Sequence, residues 1–261
     1  MCELLAVNSA DPIKMNRYLK EFFSHSDTNP HGWGIAIFDG PSVSLEKEAR
    51  PSAESGRLAQ ILSKDISVKN MAAHIRNATA GSMRRENCHP FLRKDATGRN
   101  WTLAHNGTIF HNALISPYTA MQEGNTDSER VLLALIARID AETGKKKRLL
   151  SADERFALTD TLITELSEGN KLNLLLYDGE FLYVHYNLSG TLHMLSKGNG
   201  LLFSTQPLSD EDWQPVPFMT LCSFKNGRLI RQGACHGHEY RVSEADLAYI
   251  RNARTDPSSV S

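Results

Sequence analysis

The chain has no apolar run of the roughly 18 residues that a bilayer-crossing helix needs, and its first residues, MCELLAVNSA, lack the basic start and long apolar core of a secretion signal. No membrane association is therefore expected, and a cytoplasmic location is. Charge of one sign is not in excess either: 29 lysines and arginines face 30 aspartates and glutamates, for a net charge of -1. On that balance no nucleic acid is expected as a partner, and a small molecule is. Cysteine is scarce. Cys2, Cys88, Cys222 and Cys235 are widely separated with no CxxC spacing, which argues against a disulfide framework and a cysteine-based zinc site. Internal repeats and low-complexity segments are absent, and only the last residues, TDPSSVS, read as disordered. What remains is 261 residues, 41% hydrophobic and 23% charged. That is the composition of a folded globular protein large enough to bury a core without staples.

CELLAV (2–7) reads as a short buried strand. Asp11 is placed to cap a helix with Pro12 at its first position; Met15, Leu19, Phe22 and Phe23 share one face, so a helix is predicted to about Ser24. NPHGWG (29–34) turns into the strand IAIF, and MAAHI (71–75) and WTLAH (101–105) read as strands ending in the loops RNATAG and NGTI. Thr126 to Glu129 and Ser151 to Glu154 have capping-box spacing and open two helices, with the lysine run 145–147 as a solvated loop between them. From Gly169 onward the chain is strand-rich, with Asp178-Gly179-Glu180 as a hairpin turn. Strands, two helices and strands again predict an α+β protein with helices layered on sheets. No linker divides it. A single domain is expected over residues 2–251, with a flexible tail over 252–261.

Removal of Met1 would leave Cys2 with a thiol and a free α-amine on adjacent carbons. Such an amine titrates at roughly 7.7 to 8.0 and can accept the thiol proton near neutral pH. Alone, a second-position cysteine is equally a small buried strand residue. Asn106-Gly107 offers a side-chain amide and a backbone N–H suited to an oxyanion, although Asn-Gly is also an ordinary turn signal. Arg76 offers a planar fork for a carboxylate, and Asp127 a countercharge for an ammonium, the two charges of an amino-acid substrate. Cys235-His236-Gly237-His238 lacks a second ligand pair at a usual spacing and reads as a polar turn, so no metal site is expected.

Cys2, HGWGIAIF (31–38), HIRNATAG (74–81), NCHPF (87–91), LAHNGTI (103–109) and NTDSE (125–129) stand in the order seen in class II glutamine amidotransferases. The chain resembles their glutaminase domain over nearly its whole length. STQPLSDEDWQPVP (204–217) is similar to a stretch of the stand-alone, single-domain branch. The resemblance implies the four-layer αββα sandwich of the N-terminal nucleophile hydrolases and amide cleavage through a γ-glutamyl thioester on Cys2, with no cofactor. It implies Asn106 and Gly107 as oxyanion donors, Arg76 as carboxylate ligand with Thr79 beside it, and Asp127 as amine ligand. His74, His89 and His105 match positions that shape the pocket.

Two departures stand out. Synthase-fused members read HTRWATHG where this chain has Asn77 and Ala80 in place of tryptophan and histidine. No acceptor domain is recognised either, so transfer to an acceptor would need a homo-oligomer or a separate acceptor-binding chain. The substrate is expected to be glutamine or a γ-glutamyl amide of a small peptide or thiol metabolite. A reading from another class is a non-catalytic glutamine-binding or regulatory subunit; a retained Met1, which blocks the α-amine, would separate the two.

Overall fold

The computed structural model describes residues 2–79, 81–111 and 113–255. Its first strand shows how the layers arise. In β1 (Glu3–Lys14) successive side chains leave opposite faces: Leu4 and Ala6 enter one core, Leu5 and Val7 another, and all four are buried. The same double burial explains why β7 (Lys171–Tyr177) ends in the apolar run 174–177, with Leu172, Leu174 and Leu176 facing helices and Leu175 and Tyr177 facing the other sheet. An antiparallel sheet loses its polar alternation when both faces are covered.

The remaining strands are β2 (Trp33–Asp39), β3 (Ser42–Glu48), β4 (Ser67–Ile75), β5 (Phe91–Lys94), β6 (Asn100–Thr108), β8 (Leu182–His185), β9 (His193–Lys197), β10 (Gly200–Ser204), β11 (Gln214–Pro215), β12 (Cys222–Lys225) and β13 (Arg228–Gln232). They form one antiparallel sheet in the order β11-β9-β10-β1-β4-β2-β3 and a second in the order β13-β12-β8-β7-β6-β5. Helices α1 (Asn16–Ser24) and α2 (Gly56–Leu62) cover the first sheet through Leu19, Phe22, Phe23 and Leu58. Helices α3 (Asp127–Lys146) and α4 (Ala152–Ser167) cover the second through Leu132, Leu135, Ile136, Leu162 and Leu166. Phe38, Phe203, Val184 and Leu175 fill the space between the sheets. The expected αββα sandwich is the observed architecture. Among the described residues no helix is long and apolar enough to cross a membrane.

The structure corrects the sequence reading at several boundaries. Asp11 and Pro12 do not start a helix; they lie in β1, where the pairing with β4 breaks after Asn8 and resumes at Ile13 opposite Val68. The helix begins four residues later, and its buried face of Leu19, Phe22 and Phe23 is the expected one. Asn106-Gly107 is not a loop, because β6 continues through Thr108 with Asn106 opposite Asn173 and Gly107 opposite Leu172. Lys145 and Lys146 still belong to α3, and Lys147 ends it in the left-handed region at φ 54°. Cations there suit the negative end of the helix dipole. Ser151 and Glu154 do form the capping box of α4. A fifth helix, α5 (Glu244–Thr255), runs into the stretch expected to be a tail, while residues 256–261 lie outside the described ones.

Candidate active site

Because Glu3 pairs with Ile75, the chain leaving β4 passes beside Cys2. The backbone N–H of Asn77 donates to the Cys2 sulfur at 3.2 Å, and the thiol lies 3.4 Å from the Asn77 carbonyl oxygen. An N–H aimed at the sulfur suits the anionic form of a nucleophile. The Asn77 side chain donates to the Thr28 carbonyl at 2.7 Å, and the Ala78 N–H donates to His31 Nδ1 at 2.8 Å, so both sides of this turn are anchored. Thr79 joins it to the end of β6 through a 3.2 Å hydroxyl contact with Thr108. Ala80, the second departure from the synthase-fused pattern, lies outside the described residues.

Arg76 is buried, its guanidinium donating to the carbonyls of Ser82 and Gly81, each at 3.0 Å. Burial works against its charge; Cys2, Cys88 and Asp127 support it. Gly81 sits at φ +77°, a conformation other residues rarely adopt, with Thr126 only 2.9 Å from where a Cβ would be. Asp127 is the first residue of α3, capped by Thr126. Its carboxylate accepts from the Ile109 N–H at 2.7 Å and the Ser128 N–H at 2.8 Å, and an acid there also suits the positive end of the helix. Two asparagines given no role by the sequence reading hold these parts in place. Asn87 donates to the Asn125 side-chain oxygen at 2.6 Å and accepts from the Asn125 N–H at 2.8 Å, while Ser82 N–H donates to that same oxygen at 3.2 Å.

Of the three histidines, His89 and His105 line the cleft, and His74 packs edge-on against His89 with ring centroids 4.2 Å apart. His89 Nδ1 and His74 Nε2 are 2.8 Å apart, and His105 reaches Ser128 Oγ at 2.9 Å and the Lys171 carbonyl at 3.2 Å. Burial pulls His74 down to about 3, His89 well below its usual value, and His105 downward. They are neutral at physiological pH, which suits groups that shape a pocket.

A narrow cleft of about 20 Å³ brings together Cys2, Arg76, Thr79, His89, Gly107 and Asp127. His74 stands behind His89 and does not line it. Nor does the Asn106 side chain, which is buried with Oδ1 accepting from Lys171 Nζ at 2.9 Å and Nδ2 without a hydrogen-bond partner among the described residues. Gly107 is required by close approach: a Cβ there would lie 2.0 Å from the Lys171 carbonyl oxygen and 2.2 Å from His105 Nε2. A larger cleft of about 300 Å³, lined by Asp95, Arg99, Arg155 and Asp178, has neither cysteine nor histidine in its walls. Its Arg155 is bonded to Asp178 and Glu180.

Sequence reasoning missed two contributors. Lys171 is a lone lysine opening a strand that is otherwise apolar except at Asn173, and that placement was its only signal. Helix α5 brings Tyr249 against Phe110, with ring centroids 5.3 Å apart, and burial and then the Asp127 charge raise the Tyr249 hydroxyl. Its signal was a Ser-x-x-Asp cap: the Ser243 N–H donates to Asp246 Oδ2 at 3.0 Å, and the Asp246 N–H donates to Ser243 Oγ at 3.1 Å.

Two antiparallel sheets between helical layers, with a cysteine leading into a central strand, define an N-terminal nucleophile hydrolase fold. Residues 1–201 match the family model of class II glutamine amidotransferases. The chain belongs to that family. It is 30% identical to the proposed glutamine amidotransferase YafJ of Escherichia coli, covering 81% of this chain and 82% of YafJ. It is 24% identical to the γ-glutamyl-hercynylcysteine sulfoxide hydrolase of Mycobacterium tuberculosis, over 82% of this chain and 83% of that one. A predicted glutamine amidotransferase from Pseudomonas aeruginosa superposes with a TM-score of 0.61 at 21% identity, covering 88% of this chain and all of that one. The phosphoribosylpyrophosphate amidotransferase of Bacillus subtilis gives a TM-score of 0.65 at 16% identity, with 90% of this chain covering 49% of that one.

Proposed function

We propose that the chain is an N-terminal cysteine amidohydrolase that cleaves the side-chain amide of a γ-glutamyl substrate through a thioester on Cys2. The observation that carries this reading is the meeting, in one cleft, of a cysteine, a buried cation and a carboxylate in the first turn of α3, beside a buried amide with a donor to spare. Removal of Met1 frees the Cys2 amine. The sulfur attacks the amide carbon while its proton passes to that amine, and the oxyanion is held by Asn106 Nδ2 and the Gly107 N–H. Collapse breaks the C–N bond, and the amine proton goes to the departing ammonia or amine. Water then attacks the thioester and releases glutamate, restoring the thiol.

Arg76 takes the substrate α-carboxylate and Asp127 its ammonium, so the recognised half of the substrate is the same whatever the leaving group. Removing one partner of a buried charge pair costs roughly 2 to 5 kcal/mol. Arg76→Ala and Asp127→Ala are therefore each expected to lower kcat/KM by about 30-fold or more. Wild-type-like kinetics in either variant would remove that residue from the recognition site.

The leaving group is the finer question. The Asn77 amide is tied back to Thr28, and the mycobacterial relative is by name a hydrolase of γ-glutamyl-hercynylcysteine sulfoxide. Both support a site that hydrolyses its substrate to completion without an acceptor and accepts amines larger than ammonia. A release screen on mature protein, using glutamine, γ-glutamyl-cysteine and a γ-glutamyl anilide, tests this. At least one amide is expected to exceed glutamine in kcat/KM. Preference for glutamine, with turnover only when a second protein is added, would favour a partner-dependent amidotransferase; binding without any turnover would favour the regulatory subunit.

A further inference from the structure

We propose that Lys171 is a positioning residue for the reaction: its ammonium fixes the Asn106 amide with the oxygen turned away, so that the NH2 group faces the oxyanion, and it places a positive charge beside Cys2. The inference rests on the thioester reading above.

The contact comes from strand geometry. Asn106 of β6 pairs with Asn173 of β7, and Lys171 is two residues earlier in β7, the diagonal neighbour that a long side chain can reach. Lys171 is buried, and its Nζ lies 2.9 Å from Asn106 Oδ1. A side-chain amide is often hard to orient, but an ammonium has only donors, so only the amide oxygen can face it. The NH2 must then point the other way. There it has no hydrogen-bond partner among the described residues despite being buried, which is unusual for a folded protein and marks a donor kept for a bound acceptor. With the amide flipped, the NH2 would meet the ammonium, and an oxygen lone pair would face the developing oxyanion.

Burying a lysine is unfavourable unless its charge is used. Burial pushes Lys171 down to about 8, and Cys2 opposes that shift, so the two groups lie within electrostatic reach. The titratable neighbours are Cys2 before β1, His105 on β6 and, one strand further, His185 on β8; Arg76 and Asp127 also face the cleft. Both histidines are neutral, so among the described side chains Lys171 and Arg76 are the cations near the sulfur, beside the freed Cys2 amine, which itself titrates at roughly 7.7 to 8.0.

The test compares Lys171→Met and Lys171→Gln with wild type on the best substrate of the release screen, each variant being checked for folding by thermal melting. Because an oriented oxyanion donor acts on the transition state, Lys171→Met is expected to lower kcat by about 10- to 100-fold with KM changed less than about twofold. Added to Asn106→Ala, it should cause little further loss, since both changes disable one donor. Wild-type kcat should decline as the pH is raised through about 8 and the ammonium loses its proton, and both variants should lack that decline. Lys171→Gln, which keeps a donor for Asn106 without the charge, should lose less kcat, and it supplies the pH readout if the methionine variant does not fold. A kcat within twofold of wild type, full additivity with Asn106→Ala, or an unchanged alkaline decline would overturn the proposal. Turnover surviving in Cys2→Ala would instead overturn the thioester reading.

Discussion

Cys2→Ala is expected to remove turnover completely, whereas Asn106→Ala should leave a residual rate about 10²- to 10³-fold below wild type, the usual loss for one oxyanion donor. The difference follows from chemistry. No other thiol lines the cleft, so without Cys2 there is no covalent route, while the Gly107 N–H still supports the oxyanion when Asn106 is lost. The other cysteines provide internal controls. Cys88 and Cys222 are buried; burial raises the thiol of Cys88 and pushes that of Cys222 up to about 12, so both stay protonated and unreactive at neutral pH. Cys235 is exposed and will react with general alkylating agents. A glutamine-like electrophile carries its own α-carboxylate and ammonium, so it should be drawn by Arg76 and Asp127 to Cys2 alone. Peptide mapping should find the adduct there, and intact mass should show protein one methionine short. An adduct at Cys235, or full activity with Met1 retained, would exclude the proposed nucleophile.

How much of this was legible from the sequence varies with the physics of each feature. The α+β layering was legible because the central strands are covered on both faces and so appear as short apolar runs, and because Ser151 and Glu154 signal the start of α4 within four residues, whereas the αββα order was implied by the family resemblance. The boundary at Asp11 was misread because Asp-Pro is a strong local helix-start signal, overridden here by a distant pairing between Ile13 and Val68. Local propensity carries no information about such a partner. Of the site, Cys2, Arg76, Thr79, His89, Gly107 and Asp127 were named in advance and do meet. Asn87 and Asn125 appeared only as motif letters, because their role is to hold each other across 38 residues of chain. Lys171 was invisible for a similar reason: a lysine at the start of a strand reads as a solvated edge until the fold closes over it.

Acidification is expected to destabilise the fold well before its carboxylates titrate. His74, His89, His105 and His185 are all buried, and burial is the leading cause of the lowered value in each; His74 and His185 fall to about 3. A histidine titrates near 6.5 in the unfolded chain. Below that pH the unfolded state takes up protons that the native state refuses, so stability is fully present above about 6.5 and is lost progressively as the pH falls toward 3. At pH 5.5, one unit below the unfolded value, His74 and His185 each remove about 1.4 kcal/mol. Together they remove roughly 3 kcal/mol, a sizeable part of the 5 to 15 kcal/mol that typically separates folded from unfolded domains, and His89 and His105 act in the same direction. The melting temperature should therefore drop by roughly 6 to 12 °C between pH 7.5 and 5.5. His185 offers a way to assign the effect, since it lies outside the Cys2 cleft, bonded to the Leu172 carbonyl at 2.7 Å and to His236 at 3.0 Å. His185→Gln removes one titrating group, so it should lower stability at pH 7.5 but lose about 1.4 kcal/mol less on acidification to pH 5.5. Melting temperatures that agree within about 3 °C across that range would mean that these imidazoles take up protons without unfolding the chain, contrary to the burial that holds them neutral.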